Sequence, residues 1–212
     1  MLVSLIHPSR SRPKKSFDNA KDWITKSGIS VELIVSLDSD DPKLFEYFAL
    51  YESYEPITNP NTCVVEAANH AAKAATGDIL IYLSDDFKCP DNWGVLIEEQ
   101  FKNVTEPLLL QVDDKLQKLG KDVLTIPIMN RQLYERLGYI FHPAYKSMWC
   151  DVDLYHTVRN INALKLCPEL VFPHEHYCNG KAENDETYRR SANNWNQGLA
   201  VYKERQRANF PI

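Results

Sequence analysis

No stretch of this chain is apolar for long enough to span a membrane, and the apolar run at residues 2–6 is cut by His7-Pro8, too soon for the hydrophobic part of a secretion signal. Positive charge is not in excess either. With 24 Lys and Arg against 29 Asp and Glu, a net charge of -5 and no basic cluster, the attraction that nucleic acids or anionic lipids exploit is missing. Five cysteines, Cys63, Cys89, Cys150, Cys167 and Cys178, are an odd set without paired spacing, which argues against a disulfide framework and suits a reducing cytoplasm. There is no internal repeat, low-complexity tract or linker-like segment, so one domain over residues 1–212 is expected. What is left, 44% hydrophobic and 25% charged residues, is an ordinary soluble globular composition that says nothing of oligomeric state.

The order of apolar runs and breakers predicts an α/β fold. Residues 2–6 read as a buried strand, followed by a polar turn at 7–13 and a helix over 17–26 that Gly28 ends. A second strand at 31–37 stops at Asp38-Ser39-Asp40-Asp41-Pro42, where Asp41 can cap a helix starting at Pro42 and running to about residue 51. Asn59-Pro60-Asn61-Thr62 introduces an alanine-rich helix over 63–75, with Gly77 expected as its left-handed terminator, and a strand follows at 79–83. Three strands alternating with helices predict βαβ units with right-handed crossovers and a mostly parallel sheet. Later residues read as helix 91–101, strands 108–112 and 123–128, helices 130–137 and 154–164, strand 170–172, and helix from 183 onward.

One motif stands out chemically. In Asp78-Ile79-Leu80-Ile81-Tyr82-Leu83-Ser84-Asp85-Asp86 a buried-strand pattern discharges into two adjacent carboxylates. Open α/β sheets present ligands at the carboxyl ends of their strands, and a hard divalent cation held by one or two carboxylates plus substrate phosphates fits that position. A solvated turn or a helix cap is the plainer reading. Further along, His174 and His176 alternate on an extended segment and so point the same way, as metal ligands or as locally bonded strand-edge histidines. A tetrahedral zinc site with Cys178 and Cys167 or Cys150 is disfavoured, because i, i+2, i+4 positions on a strand spread over about 13 Å. Asp151 and Asp153 precede a helix and can simply cap it.

Taken in order, these elements resemble the GT-A nucleotide-sugar glycosyltransferases, most closely the family 2-like group, over nearly the whole chain. The resemblance implies a single GT-A (Rossmann-like) domain with a mixed, mostly parallel sheet flanked by helices. Residues 1–90 would form the nucleotide-binding half, 91–180 the acceptor half, and 181–212 a C-terminal lid and helix. Pro8, Ser9 and Arg10 match the family's loop after the first strand, and Asp38 matches the aspartate that contacts the base. Asn69 and the Gly77-Asp78 pair match the helix that precedes the metal strand. Ser84-Asp85-Asp86 stands where the family carries Asp-x-Asp. Because Ser84 replaces the first aspartate, ribose contact through that side chain is weakened; Ser84 and Asp85 remain nucleotide contacts, and Asp86 keeps the metal-ligand position. Trp149-Cys150-Asp151-Val152-Asp153 resembles the acidic acceptor-side motif, which makes Asp151 the catalytic base, Asp153 its neighbouring acid and Trp149 an acceptor platform. A late histidine, His174 or His176, would complete the metal shell, and imidazole favours Mn2+ over Mg2+.

The function so implied is metal-dependent transfer of a sugar from a nucleoside diphosphate sugar, a UDP-sugar in the first instance, to a hydroxyl of a carbohydrate or other acceptor, with inversion. Lys181, Arg189 and Arg190 are further cations for the diphosphate, and residues 179–184 suit a mobile lid. Two alternatives use the same fold. A non-catalytic carbohydrate- or protein-binding module is what the Ser84 departure favours. A nucleotidyltransferase would need a glycine-rich phosphate loop, and Ser9-Arg10-Ser11-Arg12-Pro13 has no glycine.

Overall fold

The computed structural model describes residues 1–212. The first half runs β1 (Val3–Ser9), α1 (Pro13–Thr25), β2 (Val31–Asp38), α2 (Leu44–Leu50), β3 (Ile57–Asn59), α3 (Val64–Ala74) and β4 (Ile79–Tyr82). The second half continues α4 (Trp93–Phe101), β5 (Leu109–Asp113), β6 (Ile128–Asn130), α5 (Arg131–Leu137), α6 (Cys150–Asn160), β7 (Leu164–Val171), a 3-10 turn at Tyr177–Asn179, α7 (Glu186–Ala192) and α8 (Trp195–Arg207). The strands form one seven-stranded sheet in the order β3-β2-β1-β4-β6-β5-β7. Only β6 is antiparallel to its neighbours.

Strand periodicity sorts the core into two layers. Val3, Leu5, Ile79 and Ile81 pack on one face with Trp23, Trp93 and Ile97 of α1 and α4. Ile6 and Leu80 point the other way, onto Val65, Ala68 and Ala72 of α3 and the apolar sides of α5 and α6. Helices on both faces are why these strands are apolar throughout rather than alternating. Gly77 departs from its expected role. It is not left-handed; instead a Cβ there would meet Ser4 Oγ at 2.5 Å and the Leu2 carbonyl at 2.8 Å, so the residue is glycine because β1 passes too close.

Four local expectations are corrected. β1 does not end before His7-Pro8 but runs through them. Even-numbered residues of β1 aim their backbone groups at β4, as Leu2 and Ile6 do in accepting from Ile79 and Leu83. The β1–β4 ladder stops at Ile6–Tyr82, so the N–H that Pro8 lacks would have no partner anyway. Residues 123–127 are not a strand, because side chains claim their backbone: Gln111 Nε2 donates to the Lys121 and Val123 carbonyls, and Pro127 has no N–H. Residues 150–160 are helical and 164–171 extended, since Asn162 turns left-handed (φ 56°) and Leu109 N–H takes the Ala163 carbonyl into the sheet. Finally, β3 pairs at the sheet edge where the sequence suggested none.

The C-terminal helix α8 closes against the loop before α6. Gly198 lies where a Cβ would stand 2.1 Å from the Met148 carbonyl oxygen. Gly198→Ala should therefore destabilise the protein by about 1–3 kcal/mol through forced backbone displacement. Urea unfolding reads this directly, and an unchanged midpoint would mean the contact is slack.

Candidate active site

Strand order reverses between β1 and β4, and such a switch leaves a crevice beyond the carboxyl ends of the strands. A cavity of about 190 Å³ opens there, lined by the ends of β1, β2 and β4 together with the start of α3, Lys146, Ser147 and one side of α7. Pro8, Ser9, Arg10, Asp38, Ser84 and Asp85, all anticipated from the sequence, lie on its wall. Asp38 is held from two directions. Arg10 Nη1 sits 2.8 Å from Oδ2, and Asn61 Nδ2 donates to Asp38 Oδ1 at 3.1 Å while Asn61 Oδ1 accepts from His70 Nδ1 at 2.6 Å. Burial raises the Asp38 carboxyl above its usual range despite Arg10 and Asn61.

The loop after β4 is pinned before it reaches the acids. Asn19 Nδ2 donates to the Ser84 carbonyl at 2.9 Å and Trp23 Nε1 to the Phe87 carbonyl at 3.0 Å. Asp85 is buried against Ser9 Oγ (3.2 Å), His7 Nε2 (3.5 Å) and Arg12 Nη1 (3.6 Å). His7 Nδ1 donates to the Leu83 carbonyl, and Nε2 lies 2.8 Å from Ser16 Oγ. Burial, opposed by His7 and Arg12, leaves the Asp85 carboxyl above the ordinary value.

Asp86 is 2% exposed and meets two partners from distant sequence. Residues 86–88 and 173–175 run antiparallel: Lys88 N–H donates to Pro173, Glu175 N–H to Asp86, and Phe87 bridges His174. That pairing brings His174 Nε2 to 3.3 Å from Asp86 Oδ1. From α7, the Tyr188 hydroxyl donates to Oδ2. Burial pushes this carboxyl up, but His174 and Tyr188 outweigh it, and Asp86 titrates well below the usual carboxylate range. Tyr188 is raised by its own burial and by Asp86.

A second cavity, also about 190 Å³, abuts the first and shares Val64, Tyr82, Ser84 and Ser147 with it. Asp151, Trp149 and His174 line it beside the apolar rings of Phe87 and Phe141. Asp151 starts α6, and burial raises its carboxyl despite the nearby Val152 amide. Trp149 is strained into the left-handed region (φ 75°), its ring wedged against Trp195 and Tyr202 at 5.0 and 5.1 Å.

The residues fit a divalent cation in one specific way. Asp86 Oδ1, buried without a hydrogen-bond partner, lies 3.3 Å from His174 Nε2, so a carboxylate and an imidazole stand side by side with unmet polar capacity. No three His, Cys, Asp or Glu side chains form a complete metal-holding group. The donor set therefore suits an ion whose remaining ligands come from phosphates and water, and not a closed zinc centre.

Three expected site residues lie elsewhere. The Asn69 amide binds the chain at 140–141, accepting from the Ile140 N–H at 2.9 Å and donating to the Phe141 carbonyl at 2.8 Å, and it lines neither cavity. Asp153 points into the protein, where Arg205 Nε (2.6 Å) and the Tyr145 hydroxyl (3.0 Å) bind the same oxygen, so it serves packing rather than an acceptor. His176 meets His174 edge to face with ring centroids 5.0 Å apart, but its Nδ1 accepts from the Cys178 amide at 3.2 Å. Conversely, Arg12 and Tyr188 were missed. Arg12 follows Arg10 in the same loop, which was a usable signal; Tyr188 carried none.

No family model matches the sequence, and no curated protein does. Solved structures do match. A mannosyltransferase of Pyrobaculum calidifontis, PcManGT, in complex with GDP-Man and Mn2+, superposes with a TM-score of 0.69 at 14% identity, covering 95% of this chain and 64% of that one. S. aureus TarS 1–349 gives 0.64 at 14% identity over 81% and 59%. The same TarS fragment in complex with UDP-GlcNAc gives 0.62 at 13% identity over 89% and 64%. The chain thus spans less than two thirds of each of these structures. It has the GT-A fold of the nucleotide-sugar glycosyltransferases.

Proposed function

We propose that this chain is a metal-dependent glycosyltransferase that moves a sugar from a nucleoside diphosphate sugar, a UDP-sugar first, to an acceptor hydroxyl with inversion. One observation carries the reading. Asp86 lies beneath both cavities and lines neither, but it touches Tyr188 of the first and His174 of the second, so a single buried carboxylate links a cationic crevice to an acid-bearing aromatic pocket through those two side chains. Solved neighbours that hold GDP-Man with Mn2+ or UDP-GlcNAc support the donor class and the cation.

Asp86 and His174 would hold the cation, and the imidazole would favour Mn2+ over Mg2+. When bound, it supplies positive charge that offsets the charge developing on the leaving diphosphate. Pro8, Ser9, Arg10, Ser84 and Asp85 wall the donor, with Arg12 adding a second guanidinium, and Asp38 accepts a base N–H in the orientation that Asn61 sets. In the neighbouring pocket, Trp149 shapes the acceptor's seat and Asp151 takes the proton from the attacking hydroxyl. In-line attack from that side would give inversion. Residues 1–90 contribute the donor half and 91–180 the acceptor half, and 181–212 contribute the lid. Five unpaired cysteines support a cytoplasmic setting.

Calorimetric titration of UDP and GDP with and without Mn2+ tests the core of this. Asp86→Ala should weaken Mn2+-supported nucleotide binding about 100-fold, ~2.7 kcal/mol. Unchanged affinity would remove Asp86 from its role. Supplying sugar nucleotides should release the nucleoside diphosphate; pyrophosphate release would instead mark a nucleotidyltransferase. Binding without turnover would favour the non-catalytic module, the reading that Ser84 supports.

A further inference from the structure

Helix α7 crosses the mouth of the nucleotide crevice with no buried residue of its own. Its anchors are polar, and they land on Arg10 and Arg12 of the crevice and on Asp86 beneath it. Arg12 makes two parallel bonds to Asp185, Nε to Oδ2 at 2.7 Å and Nη2 to Oδ1 at 2.6 Å. Asp185 in turn caps α7 by accepting from the Tyr188 N–H. The Thr187 hydroxyl donates to the Arg10 carbonyl at 3.3 Å, and the Tyr188 hydroxyl donates to Asp86 Oδ2. The Arg12 guanidinium lies 4.4 Å over the Tyr188 ring.

Two of these contacts resemble ones that a ligand would make. A carboxylate on the Arg12 fork has the geometry of a phosphate on the same fork. A hydroxyl proton directed at the Asp86 carboxylate occupies the lone pair that a cation would take, while Asp86 Oδ1 stays unpartnered. We infer that α7 is a strap that fills its own site, with Tyr188 standing in for the cation at Asp86 and Asp185 for a phosphate on Arg12. A diphosphate reaching Arg12 must therefore displace Asp185, and a cation that draws on Asp86 Oδ2 as well as the free Oδ1 must displace Tyr188. This rests on the proposed role of Asp86 in holding the cation. The consequence is that an empty site is kept closed, and the metal alone binds more weakly than the Asp86–His174 pair would otherwise allow.

The test is Mn2+ binding without nucleotide, read from the electron-spin signal of free Mn2+, for wild type, Tyr188→Phe and Asp185→Asn. Tyr188→Phe keeps the ring but not the hydroxyl and should bind Mn2+ about tenfold more tightly, the scale of one hydrogen bond to a charged group. Asp185→Asn should shift binding the same way by less. In the wild type, Mn2+ with UDP or GDP should speed backbone hydrogen exchange across 186–192. Equal or weaker Mn2+ binding by Tyr188→Phe, or unchanged or slower exchange in α7, overturns the strap while leaving Asp86 as a ligand. Failure of wild type and both variants to bind Mn2+ even with nucleotide present overturns the strap and the Asp86 reading together.

Discussion

Asp151→Asn is expected to lower kcat for sugar transfer about 10³-fold, ~4 kcal/mol in the barrier, with Mn2+-supported UDP or GDP affinity unchanged within a few-fold. The amide keeps the size and cannot accept a proton, so loss of rate without loss of donor binding isolates the base. The pH profile supplies a second readout. Burial raises the Asp151 carboxyl, and a base works only when ionised, so wild-type kcat should fall on the acid side at a pH above the ordinary carboxylate range. The variant should lose that limb. A variant with near wild-type turnover would move the proton acceptor elsewhere in the pocket.

Arg205→Ala should cost about 3–5 kcal/mol of stability, because it strands the Asp153 carboxylate without its charge partner in the interior. Asp153 is 1% exposed and receives Arg205 and Tyr145 on one oxygen, while Arg205 also donates to the Pro211 carbonyl at 2.7 Å. The pair thereby fastens α8 to α6. Replacing both residues by apolar ones of similar volume should recover most of the loss, which removal of either alone would not. Thermal unfolding of the two single variants and the double variant measures this. If Asp153→Ala left stability intact and reduced only transfer, the acid would belong to the acceptor side after all.

Asp151 and Asp153 also show what local pattern can resolve. Two acids in the first turn of a helix look alike in a sequence, and both were expected beside the acceptor. Their fates are decided by a residue more than fifty positions away, Arg205, which takes one and leaves the other facing the cavity. Asn69 misled for the same reason. Its place in an alanine-rich helix before a metal strand suggested a ligand contact, yet its amide meets the free backbone of residues 140–141, which no spacing rule anticipates. The sequence pattern has the two histidines alternating along an extended segment. Their rings instead meet through a tight turn in which the His176 N–H donates to the His174 carbonyl, and the short pairing with 86–88 leaves His174 as the nearer to Asp86. Pro8 and residues 123–127 were misread because a strand's tolerance of proline, and a loop's capture by Gln111, depend on neighbours in space.

Sequence alone determined the parallel half-sheet and its acidic strand ends, because apolar periodicity and helix breakers act over a few residues and a strand can place its carboxylates only where it stops. The resemblance of the segment around the end of β1 and of the aspartate that ends β2 to family motifs pointed to Pro8, Ser9, Arg10 and Asp38, which line one cavity at the strand ends. Tertiary structure alone decided which acid is neutralised, which histidine reaches the carboxylate and that Tyr188 covers it. Those outcomes turn on charge pairing and burial between segments separated by up to 102 residues, as Tyr188 and Asp86 are, and such contacts exist only once the chain has closed.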